Sequence, residues 1–353
     1  WVDGEIYDSQ PLMIIADCEL VPYAYCAGAD LSGMNLSGMD LTGIDLREAN
    51  LQNTTFDYAS LDGADLREAN LQNTTFDYAN LEGADLRSVV AFNATFIHTW
   101  MENVYLQNAR FNQWLELECG GLCGAANLSN AYLYKADLSD ASLDDVDLTS
   151  AYLYKAKLRD TQLDYVDLTN ADLRFADLTS ADLGEANLIN TRLNYADLVY
   201  THLDNANLSY ADLSYANLAG AELKWANLTD AKLEYADLTD ADLHGADLPN
   251  VDLRWADLTN ANLFYADLTD ANLESADLTD AILRQADLTD ANLAYADLTD
   301  AYLRNADLTD ASLAYADLTD ANLQSADLTD AYLVFADLTD ANLEYTDLTD
   351  ANL

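Results

Sequence analysis

Residues 47 to 66 read REANLQNTTFDYASLDGADL, and residues 67 to 86 repeat them as REANLQNTTFDYANLEGADL, changed only at Ser60 against Asn80 and Asp62 against Glu82. A tandem copy of this kind duplicates one whole structural layer, because inserting a complete layer leaves every neighbour's register intact. A shorter period runs inside it: Leu51, Phe56, Leu61 and Leu66 stand five apart. The same five-residue rhythm continues without exception from Leu128 to Leu353, nearly always with Ala two residues before each Leu. Four units of five therefore make one layer, and the layer is four-sided.

A period of five fits neither the 3.6 of an amphipathic helix nor the 2 of a strand, so each unit must contain a turn. In Ala236-Asp237-Leu238-Thr239-Asp240, Ala and Leu stand two apart and point to one side of a short extended segment. The residue between them points away. The two residues after the leucine turn the chain, and Thr, Asp, Ser, Asn and Gly are common there, as turn chemistry requires.

These units resemble the pentapeptide-repeat family over residues 29–111 and 126–353. The resemblance implies an all-β fold, a right-handed quadrilateral β-helix (β-solenoid) with four five-residue repeats per coil. At that count the chain holds roughly 16 coils. It divides into an N-terminal cap or docking segment (1–28), a first solenoid block (29–111), a cysteine-containing insert (112–127) and a main block (128–353). The insert carries a register shift: the leucine-type centres run to Phe111 and restart at Leu128, out of phase by two.

Composition narrows the function. The 353 residues include 63 acidic and 15 basic side chains, a formal net charge of -48. Such a surface repels nucleic acid and anionic lipid, so direct nucleic-acid binding is not expected. No apolar run is long enough to span a bilayer as a helix, so membrane insertion is not expected either. Isolated His98, His202 and His244, and the lack of a phosphate loop, nucleophile elbow or HExxH stretch, argue against an enzyme, a cofactor or a small-molecule substrate.

Four cysteines fall in two close pairs, Cys18 with Cys26 and Cys119 with Cys123. The pairs suit local disulfides better than a zinc site, whose spacing they lack. The chain begins at Trp1 without a start methionine, which points to an exported protein, extracellular or at the cell surface; a cytoplasmic location is the alternative.

Two corner ladders follow from the coil length of twenty. One stacks Tyr195, Tyr215, Tyr235, Trp255, then Ser275, then Tyr295, Tyr315 and Phe335. Its first reading is ring stacking between coils, its second lateral contact between molecules. Another aligns Asp270, Asp290, Asp310 and Asp330, where Ca2+ held between carboxylates competes with solvated side chains; the latter is favoured because the repeat alone produces the spacing.

The repeat runs through Leu343, Leu348 and Leu353, and an uncovered coil edge invites another β layer. With Leu12, Ile14 and Ile15 at the other end, these leucines are the expected self-association surface. Head-to-tail stacking of copies would give an open filament. The resemblance offers a rival, since some members of the family mimic DNA and inhibit or protect DNA gyrase. A passive acidic scaffold or spacer is a third reading.

Overall fold

The computed structural model describes residues 14–15, 18–101, 103–111 and 126–353. They fall into two compact units, residues 1–132 and 133–353.

In both units the coil follows from one hydrogen-bond scheme. Within a repeat, the Ala241 N–H donates to the Leu238 carbonyl and closes a turn over Thr239 and Asp240. Between coils, the Leu238 N–H donates to the Asp257 carbonyl at 2.7 Å, and the Asp257 N–H donates to the Ala236 carbonyl at 2.9 Å. The residue between Ala and Leu thus forms a parallel bridge twenty residues on, as in Asp237 to Asp257 to Asp277. Four such columns surround each coil, and every face contributes one bridge.

The second central turn residue sits in the left-handed region throughout, for instance Tyr235 at φ 58° and Asp240 at φ 59°. Positive φ at that position alone is what a type II turn demands. For non-glycine residues it costs about 1 kcal/mol each, and contacts between coils must offset it.

One sequence preference acquires its cause here. The Asp237 carboxylate accepts the Thr239 N–H at 3.0 Å and its hydroxyl at 2.7 Å. Asp and Asn between Ala and Leu therefore cap the following turn, and Thr is favoured next because it donates twice.

The inward side is dry. Leu238 and Ala236 are buried, as are most of their counterparts from Leu41 to Leu333. Residues 1–132 add a column of phenylalanines, Phe56, Phe76 and Phe96, with centroids 5.1 Å apart. Where threonine replaces the small alanine, its hydroxyl finds a carbonyl: Thr74 donates to Leu51 and Thr161 to Leu138. A buried hydroxyl without a partner would cost 1–3 kcal/mol, roughly.

Among its described residues, the first unit opens with a two-residue antiparallel pair, β1 (Ile14–Ile15) against β2 (Cys18–Glu19). A disulfide joins Cys18 to Cys26 with Cα atoms 5.0 Å apart. Coil geometry starts inside the segment drawn as a cap, since Tyr25 already bridges Asp45. The phase slip also has a location: Tyr105 bridges Asn127 and Arg110 bridges Tyr132, each 22 residues on instead of twenty. Ala126 and Asn127, assigned to the insert from sequence, are thus already part of a coil. Residues 112–125 of the insert, with Cys119 and Cys123, lie outside the described residues, as does Leu12.

Candidate functional site

The left-handed turn position points its side chain outward at a corner, and the coil brings every twentieth residue into line. From this, the ring ladder follows. Phe175, Tyr195, Tyr215, Tyr235 and Trp255 stack at successive centroid distances of 4.9 Å, with planes within 7° of parallel. Tyr295, Tyr315 and Phe335 form a second run at 4.9 and 5.0 Å. The sequence reading began the ladder at Tyr195; Phe175 extends it. In the first unit Tyr58 and Tyr78 stack at 4.9 Å on the same principle. Face-to-face stacking leaves mainly ring edges towards solvent.

Asp270, Asp290, Asp310 and Asp330 also occupy exposed corners at positive φ. Among the described residues, the group of three ligand-type side chains that converges lies elsewhere, at His202, Asp204 and Glu222, with ligand atoms within 4.8 Å of one another. His202 belongs to the bridge column Asp182–His202–Glu222, whereas Asp204 and Lys224 are turn residues twenty apart. The sequence reading missed this cluster because it joins residues of a bridge column to residues of a neighbouring turn column.

The cluster already contains its cation. Lys224 Nζ lies 3.0 Å from Glu222, 3.5 Å from Asp242 and 3.7 Å from Asp204. His202 Nδ1 is 2.6 Å from Asp182 Oδ1, and Nε2 is 3.4 Å from Asp204 Oδ2. Burial pulls the His202 pKa down, but the hydrogen bond and charge of Asp182, backed by Asp204, outweigh it and hold the imidazole above its ordinary value. Nearby Asp164 is pushed up by burial and by the facing Asp182 carboxylate.

In the first unit, arginines neutralise a bridge column. Arg67 pairs with Asp65 at 2.6 Å and reaches Asp85 at 3.4 Å, so one guanidinium spans two coils. The hydrogen bond from Arg67 holds the Asp65 carboxyl below its ordinary value, against the opposing effect of burial.

Of the self-association candidates, Ile14 and Ile15 form the backbone pair of β1. Leu343 and Leu348 are half-buried and Leu353 is 72% exposed, whereas Leu333 one coil earlier is 3% exposed. No helix among the described residues is long and apolar enough to cross a membrane.

The profile of pentapeptide repeats matches residues 24–57, 56–90, 125–164, 156–194, 186–224, 226–263, 236–274, 256–293, 266–305, 286–324 and 316–353. Among solved structures, the chain is similar to HetL, a pentapeptide repeat protein involved in heterocyst differentiation regulation from the cyanobacterium Nostoc sp. strain PCC 7120. Identity is 37% over 61% of this chain and 91% of that one, with a TM-score of 0.29. It is also similar to a trypsin-treated variant of QnrB1, a plasmid-mediated fluoroquinolone resistance protein, at 20% identity over 63% of this chain and 90% of that one, with a TM-score of 0.35. No curated protein sequence matches the chain.

Proposed function

Because the chain belongs to the pentapeptide-repeat family, whose fold is the right-handed quadrilateral β-helix, we propose that it is a non-enzymatic structural protein that self-associates head to tail into a filament. The observation that carries this reading is the sameness of its coil faces. The bonds Leu273 to Asn292, Leu293 to Ser312, Leu313 to Tyr332 and Leu333 to Asn352 all measure 2.7 Å and occupy the same column. A coil face of this chain therefore fits the opposite face of any similar coil, including one on another copy. In this proposal Leu343 and Leu348 supply the apolar centre of such a contact. The Cys18–Cys26 disulfide favours an oxidising compartment, and the cell exterior or surface is the location that accompanies this proposal.

Electron microscopy and sedimentation of the wild type and of Leu343→Lys with Leu348→Lys test it. Fibres that lengthen with protein concentration in the wild type and vanish in the double variant are expected. A wild type that stays monomeric at high concentration refutes it.

A second reading, imitation of a polyanion before a DNA-binding enzyme such as gyrase, draws on the net charge of -48 and on the unbroken aspartate column from Asp247 to Asp347. Inhibition of gyrase supercoiling by the purified protein would move the assignment there.

A further inference from the structure

The outer ring ladder has one missing rung. Trp255 ends the first run and Tyr295 begins the second, and both keep the 4.9 Å step to their own neighbours. Between them the corner belongs to Ser275, whose backbone adopts the same left-handed conformation at φ 60°. The coil is present, but the ring is not. Two coil steps separate Trp255 from Tyr295 by roughly 10 Å, about twice the spacing of stacked flat groups. The slot thus takes one planar group, and a hydroxymethyl side chain does not fill it.

The chain shows what can replace a ring at this corner. Lys155 occupies the ladder position one coil before Phe175, and its Nζ stands 5.4 Å from the Phe175 ring centre. A cation there takes the place of an aromatic neighbour. Arg254 likewise lies over Trp255, its guanidinium carbon 5.4 Å from the ring centre, but is engaged by Glu234 and by Asp252 at 2.6 Å. Beside the slot, Glu274 adds a carboxylate; the preceding residue of its column is Arg254, which feels its charge but pairs directly with Glu234 and Asp252, and the following one is Ala294, which carries no charge.

We propose that the Ser275 slot binds the guanidinium of an arginine presented by a basic partner protein. A guanidinium is flat, so it fits a space one ring thick and meets the faces of both Trp255 and Tyr295. Its charge is drawn by Glu274 and by the acidic surface as a whole. An ammonium is compact and more strongly hydrated, and gains less from two ring faces. A neutral ring would match the shape and gain nothing from the field.

The test is a titration with hexa-arginine and hexalysine peptides, followed by tryptophan fluorescence in enough salt to screen long-range attraction. Wild type is expected to bind hexa-arginine about threefold to tenfold more tightly than hexalysine. Ser275→Tyr supplies the missing rung, so it should erase that preference while raising the thermal midpoint; Ser275→Ala should keep it. Equal binding of the two peptides by wild type, or a preference that survives in Ser275→Tyr, overturns the proposal. So does displacement of hexa-arginine by N-acetyl-tyrosinamide as effectively as by arginine amide.

Discussion

Pro249 withholds from Asp247 the backbone donor that Thr239 gives to Asp237. In the regular repeat the aspartate accepts the N–H two residues on, as Asp237 and Asp347 do. Proline has no such hydrogen, although its fixed φ suits the first central position of the turn. Burial and the charge of Asp267 then push the Asp247 carboxyl above its ordinary value, whereas the hydrogen bonds from Thr349 draw the Asp347 carboxyl down.

Restoring the donor should reverse the shift at Asp247. Pro249→Thr is expected to lower its titration midpoint, read by carboxyl carbon NMR, with the turn intact. A carboxyl raised in the folded state binds more protons than in the unfolded chain. Its effect is therefore a loss of stability as pH climbs through and just above the ordinary carboxylate range, and the variant should abolish that loss.

Arg67 should matter in acid, with the opposite sign. It holds the Asp65 carboxyl below its ordinary value, so the pair stabilises the fold above the unfolded pKa near 4 and ceases to do so as pH falls through the folded value. Arg67→Gln is expected to move the onset of acid unfolding of residues 18–111 to higher pH, measured by circular dichroism. The difference from wild type should shrink once both carboxyls are protonated.

Reduction of Cys18–Cys26 is expected to act locally. The cystines are 8 residues apart, and closing a loop of that size constrains the unfolded chain by roughly 2–3 kcal/mol on the chain-entropy model. Cys18→Ser should speed amide exchange of Leu31 and its coil neighbours and leave the amides around Phe76 unchanged, because each coil contacts only the adjacent ones.

Leu238→Ala should cost about 2–5 kcal/mol, measured by denaturant unfolding, since the side chain is wholly enclosed and the coil above and below cannot collapse into the gap. Asp240→Asn on the same turn should cost little, because asparagine tolerates positive φ and that carboxylate is exposed.

The four-sided coil was legible because one coil had been copied verbatim at 47–86, and the ring ladder because its members share a period of twenty. What stayed hidden depends on hydrogen bonds between unlike positions. The aspartate that caps each turn looked merely outward-facing, since only the structure shows Thr239 donating to Asp237. The His202 cluster combines a bridge column with a turn column, and no single period links Asp182, Asp204 and Lys224. The gap at Ser275 was visible as an interruption, but its width acquires meaning only from the 4.9 Å ring steps on either side.

The bridges that join Asp45, Asp65 and Asp85 in one column make molecular length a quantised trait. Recombination between the near-identical stretches encoding 47–66 and 67–86 would add or delete twenty residues at a time, and each product would fold with its columns in line. Slippage by any other number would misalign the four sides at once. The 22-residue step from Tyr105 to Asn127 is a departure accommodated in place, so inherited variants of this protein should differ by whole coils and seldom by fractions of one.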